Sequence, residues 1–175
     1  ILLVEGAPSL SGLDPLAQTR LALEERLRAE YAPLSRAERK TLHPMDAYVA
    51  YYKSFGYSYH VLAQFESVVG GKSIPAAHPL VQVMFMAELK NMLLTAGHDL
   101  DRLRLPLHFC RADGTERYAT LGGREAVTVS GDLLIADEAG VVSSILRGPD
   151  ARTHGGLPVR RGDRLQAVVR RLEAG

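Results

Sequence analysis

Apolar positions along the first two-fifths of the chain follow a helical repeat. Leu16, Leu23, Leu27 and Tyr31 fall on one helical face, and Asp14 followed by Pro15 offers that helix a cap and an opening residue whose φ is already set. After Pro33, Ser35 and Glu38 stand at the capping-box spacing, so a second helix starts there; Pro44 disfavours the α conformation at His43 and ends it near Leu42. A third helix runs from about Met45 to Phe55, with Met45, Val49 and Tyr52 on one stripe and Gly56 as its stop. Ser58 opens a fourth, which carries Val61, Leu62, Phe65 and Val69 inward before Gly70 and Gly71. From Pro79 to Thr95 there is no Gly and no interior Pro, and apolar side chains occupy nearly every direction. This pattern predicts a central, buried helix that Gly97 terminates.

Beyond Leu103 the repeat shortens. Leu105–Phe109, Tyr118–Leu121, Ala126–Val129, Leu133–Ala136 and Val141–Leu146 read as strands, separated by turn signals at Asp113-Gly114, Gly122-Gly123, Ser130-Gly131 and Ala139-Gly140. Helices first and strands later, with no βαβ alternation, is the α+β pattern.

Composition sharpens this picture in three places. The 175 residues fit one domain, large enough to bury a core without a disulfide or metal staple. The single cysteine, Cys110, has no partner in the chain; it reads as a small core residue and points to a reducing compartment. The longest apolar run, Val83–Ala87, is too short to span a membrane, and no charged-then-apolar leader opens the sequence. A soluble, cytoplasmic protein with no membrane partner is the expectation. The first residue is not Met, which suggests a trimmed N-terminus.

Formal net charge is +1, which argues against a general nucleic-acid binder and against DNA as a partner. The charge is uneven, however: residues 1–146 hold 14 basic and 17 acidic residues, whereas residues 147–175 hold 7 and 3. Arg152, Arg160, Arg161 and Arg164 belong to this basic end and could meet phosphates or form a solvated face. Gly155-Gly156 before Pro158 is the one plausible linker, giving a domain over residues 1–153 and a basic segment over 154–175 of the same domain.

Strong catalytic motifs are absent. Gly71-Lys72-Ser73 has Glu66 where a phosphate-binding loop needs glycine, and there is no Gly-x-Ser-x-Gly, His-Glu-x-x-His or Cys-x-x-Cys. His98, Asp99 and Asp101 supply ligand atoms but sit at a helix end, where capping or salt bridging accounts for them; no metal or cofactor is predicted. More informative are polar residues inside apolar helices. Glu88, Asn91 and Thr95 form a stripe leading to His98, and His60, Gln64 and Ser67 form another on the preceding helix. Buried polar groups need partners. The stripes either pair with one another or line a pocket for a small polar or zwitterionic ligand.

Three stretches, DAYVAYYKSFGYSYHVLAQFESV (46–68), MFMAELKNMLLTAGHDLD (84–101) and GDLLIADEAGVVSSILRGPDART (131–153), resemble the tRNA-binding and editing region of the bacterial phenylalanyl-tRNA synthetase beta subunit, formed by its third and fourth B domains. The resemblance covers roughly residues 46–153 and implies an α+β module with an antiparallel, β-sandwich-like core. It also implies discrimination of phenylalanine from tyrosine by hydrolysis of mischarged aminoacyl-tRNA. His98 and Asp99 stand near the family's histidine and acid, displaced by about two positions. Gly148-Pro149-Asp150 stands where the family has a Gly-Gly-Glu turn lining the amino-acid pocket, with a shorter carboxylate one position later. Ser143, Ser144, Arg152 and Thr153 fall in the pocket-lining stretch.

Two functional classes follow. In the first, an editing-type deacylase acts on aminoacylated tRNA: His98 accepts a proton or positions water, Glu88 or Asp150 holds the substrate ammonium, and Asn91, Ser143 or Ser144 donates to the carbonyl oxygen. Thr95, His60 and Gln64 line the same pocket, and no protein nucleophile is required. In the second, a non-catalytic module binds an amino-acid-like small molecule or RNA. Aminoacylation itself is not expected, because 175 residues do not hold a synthetase active site and an anticodon domain.

Overall fold

The computed structural model describes residues 2–4, 16–77, 79–154 and 165–169. Its elements are, in chain order, β1 (Leu2–Val4), α1 (Ala17–Tyr31), α2 (Arg36–Lys40), α3 (Met45–Ser54), α4 (His60–Val69), α5 (Pro79–Asn91), β2 (Thr95–Asp99), a 3₁₀ turn (Leu100–Arg102), β3 (His108–Arg111), β4 (Arg117–Ala119), β5 (Glu125–Val127), β6 (Leu133–Asp137), β7 (Gly140–Ser144), β8 (Gly148–Pro149), α6 (Ala151–His154) and β9 (Leu165–Val169). The chain is α+β and divides into two compact units. A helical unit comprises Leu10–Thr95 with Val169–Gly175, and a strand-rich unit comprises Ile1–Ser9 with Ala96–Val168.

In the helical unit the Ser35 capping box forms in full: the Ser35 hydroxyl accepts from the Glu38 N–H and the Glu38 carboxylate accepts from the Ser35 N–H. The turn after α3 holds Gly56 at φ +78°, a left-handed conformation that costs glycine little. The Asp14-Pro15 cap lies outside the described residues. Buried aromatic contacts join the helices. Tyr48 stacks on Tyr59 at 4.8 Å between ring centroids, and Tyr31 meets Phe65 edge-on at 5.1 Å. One face of α1 grips the chain that leaves α4. The fully buried Glu24 carboxylate accepts the Ile74 N–H at 2.8 Å and pairs with Arg28 at 3.0 Å. Arg28 also donates to the Val68 and Lys72 carbonyls, and Arg20 donates to the Ile74 carbonyl.

α5 departs from expectation in two ways. It ends at Asn91 because Met92 takes φ +56°, so Thr95 belongs to a strand and not to the helix. It is also not the most buried element: it buries Gln82, Met86, Glu88 and Leu89 while Val81 and Val83 are exposed. Side chains apolar on all sides do not reveal which side packs, and α4, with Val61, Leu62, Phe65, Val68 and Val69 buried, holds the deeper position.

The strand-rich unit has an antiparallel sheet in the order β3-β6-β7-β8, a β4-β5 hairpin and a sheet in the order β1-β9-β2. β6 and β7 pair Leu134 with Ser144 and, past a bulge after Ile135, Ala136 with Val141. Both faces of this pair are covered. Ile135 and Val142 pack with Leu103, whereas Leu134 and Val141 pack with Ala112 and Tyr118. The near-continuous apolar runs in these strands reflect that two-sided burial. At the Asp113-Gly114 turn Gly114 has φ +94°, and a Cβ there would lie 3.0 Å from the Ser130 nitrogen. Cys110 is exposed on the edge strand β3, which corrects its reading as a core residue: all four residues of β3 face solvent.

Candidate functional site

The structure separates the predicted site residues into two groups. In the strand-rich unit β2 delivers His98 and the short helix α6 delivers Thr153. Asp150, just before α6, acts as its cap: its carboxylate accepts from the Thr153 N–H at 3.1 Å and from the Thr153 hydroxyl. The same hydroxyl lies 2.7 Å from His98 Nδ1. A hydroxyl has one proton, and this one goes to Asp150, so Thr153 accepts from His98 Nδ1–H and the imidazole takes the Nδ1-protonated tautomer. His98 and Thr153 have no exposed surface, and Asp150 is 3% exposed. Next to them, His154 Nδ1 lies 2.6 Å from the Gly97 carbonyl.

Arg152 closes the other side of this network. Its guanidinium donates to both Asp137 oxygens at 2.9 and 3.0 Å, to the Arg102 carbonyl at 2.5 Å, and lies 3.4 Å from an Asp150 oxygen. The cation predicted to meet phosphate is thus occupied within the fold. Burial pushes the Asp137 carboxyl up, but the Arg104 and Ala139 N–H groups and Arg152 outweigh it and hold the group below its ordinary range. Sequence reading missed Asp137 and Arg102, since their contacts are long-range and neither residue stands in a recognisable spacing.

Ser143 and Ser144 are buried in β7. Ser144 donates to the buried Asp132 carboxylate and accepts from the Arg147 N–H at 2.9 Å, so it fixes the turn after β7. Tyr118 donates to the Gly148 carbonyl at 2.9 Å; burial, ahead of the other influences, pushes its phenol up to about 12.

In the helical unit Glu88 accepts the Thr95 N–H at 2.7 Å, closing the turn after α5, and burial raises its carboxyl despite that bond. Thr95 Oγ1 approaches the Met84 carbonyl at 3.5 Å. Asn91 is exposed and donates to the Ala87 carbonyl one turn earlier. His60 is exposed beside Tyr52 and Tyr59, and Gln64 is half-buried. Glu88 and Thr95 therefore meet, His98 meets Thr153, which links it to Asp150, and the helical stripe leading to His98 breaks at Met92. Arg160, Arg161 and Arg164 lie outside the described residues.

Among the described residues, cavities open in the helical unit. One, of about 370 Å³, is lined by Leu23, Arg26, Met86 and Lys90 among others; another, of about 220 Å³, is lined by Arg36, Lys40 and Lys53 with Tyr57, Ser58 and Tyr59. Among the described residues no cluster of three or more His, Cys, Asp or Glu could hold a metal ion, and no helix is long and apolar enough to cross a membrane.

No protein-family model matches the chain, and no curated protein matches it. Among solved structures, an N-terminal fragment of the phenylalanyl-tRNA synthetase beta subunit from Pyrococcus horikoshii is similar, with a TM-score of 0.42 and 16% identity. The match covers 54% of this chain and 35% of that fragment, so the chain spans about a third of the fragment's length.

Proposed function

We propose that the chain is a binding module for tRNA that does not hydrolyse the aminoacyl ester. The observation that carries this reading is the closed, buried set of His98, Thr153, Asp150 and Arg152. A general base must reach a substrate water within hydrogen-bond distance. His98 has no exposed surface, and its neighbouring carboxylate is held by Thr153 and Arg152, so this set works as a hydrogen-bonded brace. The tRNA part of the reading rests on the three stretches that resemble the synthetase region. Weak, salt-dependent affinity is expected from a chain of net charge +1, through phosphate contacts without base readout.

The test pairs two measurements on the intact chain. Filter binding of tRNA at low and moderate salt yields saturable binding that weakens with salt. Deacylation of a panel of mischarged tRNAs stays at the rate without protein, for wild type and for His98→Ala at equal folded fraction. Turnover by the wild type that His98→Ala abolishes replaces this reading with an editing deacylase. No tRNA binding at either salt moves the function to an amino-acid-like small molecule.

A further inference from the structure

The cavity of about 220 Å³ gathers three cationic side chains from two helices. Arg36 and Lys40 stand one turn apart on α2, and Lys53 lies in the last turn of α3. No carboxylate is among the residues that line it. Glu66, from the second turn of α4, pairs with Arg36 Nε at 3.0 Å, and among the described residues no carboxylate pairs with Lys40 or Lys53 at the wall. Like charges drawn to one concavity repel each other, and an anion placed among them removes that cost.

The first turn of α4 forms the remaining wall. The Tyr59 side chain makes no cap hydrogen bond, and no acidic residue stands in that turn. The opening N–H groups of a helix have no acceptor within it and carry partial positive charge, which adds to the three cations. The volume is below the roughly 300–1,000 Å³ of sites for drug-sized ligands, so it suits one charged group and not a whole cofactor. Tyr57, 40% exposed, adds an aromatic ring against which an attached base could lie.

The geometry points to a phosphate site in which one phosphate ester group is held by Lys40 and Lys53, beside the Glu66-paired Arg36, at the amino end of α4. A phosphodiester of bound RNA and the phosphate of a small ester present the same chemistry; the RNA source rests on the tRNA-binding reading above.

The experiment titrates ¹⁵N-labelled protein with inorganic phosphate and, separately, measures the salt dependence of tRNA binding. It compares wild type, Lys40→Gln/Lys53→Gln and Lys90→Gln, the last lining the other cavity. In the wild type and Lys90→Gln, phosphate shifts the amides of residues 58–62 saturably; in the double variant its affinity falls about tenfold or more. The log–log salt slope for tRNA falls by about 1 for each lysine removed. Absence of saturable shifts at these amides, or equal phosphate affinity in the double variant, overturns the site even where tRNA binding persists. Phosphate binding lost in the double variant with an unchanged tRNA slope upholds the site and assigns it to a small phosphate ester. The same loss with no tRNA binding by any variant upholds the site and refutes the tRNA reading alone.

Discussion

Replacing Thr153 by valine tests the role assigned to the buried network around His98. Valine keeps the shape of threonine but removes the hydroxyl that donates to Asp150 and accepts from His98 Nδ1. His98 is fully buried, so its Nδ1–H is left without that acceptor, at about 1–3 kcal/mol. Asp150 also loses a donor but retains the Thr153 N–H at 3.1 Å and Arg152 at 3.4 Å, so its share is smaller. The total expected is about 2–5 kcal/mol. Urea denaturation at neutral pH measures it, with Thr153→Ser as the control: serine keeps the oxygen and loses one buried methyl, about 1 kcal/mol. Long-range ¹H–¹⁵N spectra of the wild type should show the proton on Nδ1. If the valine variant costs no more than the serine variant, or if the wild-type proton sits on Nε2, the brace as described is refuted.

Burial on α5 is tested by Leu89→Ala, expected to cost about 2–5 kcal/mol because Leu89 is fully buried, and by Val83→Ala, within about 0.5 kcal/mol because Val83 is 48% exposed. Equal costs at the two positions would contradict the observed face. Glu116, where burial pushes the carboxyl up but the Thr128 hydroxyl and the Asp113 and Gly114 N–H groups hold it down to about 2, contributes stability above its ordinary value of 4.5. That contribution disappears as pH falls from 4.5 through 2, so the urea midpoint of the wild type should approach that of Glu116→Gln over this window; a gap independent of pH argues against it. Glu88 has the opposite sign. Its raised carboxyl favours the fold at low pH and loses that benefit as pH rises through the folded value, so Glu88→Gln should be the more stable form at neutral pH, with the gap closing below 4.5.

Local signals in the sequence were read correctly where short-range chemistry decides the backbone. The Ser35 capping box, the Gly56 stop and the turn at Asp113-Gly114 each need only neighbours within a few residues. β2 was not legible: Thr95–Asp99 has no apolar alternation, and its strand character comes from a distant partner, β9. Met92 ends α5 without glycine, which no spacing announces. Packing places Gln82 inside and Val83 outside on α5, a choice of face that apolar side chains in nearly every direction do not announce. At the site, the sequence identified His98, Thr153 and Asp150 as relevant but not that they close on one another, since His98 and Thr153 are 55 residues apart. The cations of the smaller cavity were not singled out because no single helix carries all three.

The grip of α1 on the segment after α4 has a consequence for local opening. Ile74 gives its N–H to Glu24, fifty residues earlier, and receives Arg20 on its carbonyl, while Arg28 holds the carbonyls of Val68 and Lys72. The Ile74 N–H and carbonyl are held by α1 side chains, whereas the Val68 carbonyl also accepts the Gly71 N–H, so it is the protection of Ile74 that lasts only while α1 stays docked. Hydrogen exchange at the Ile74 amide becomes a probe of α1 undocking, and the chain at Ile74 opens together with that helix.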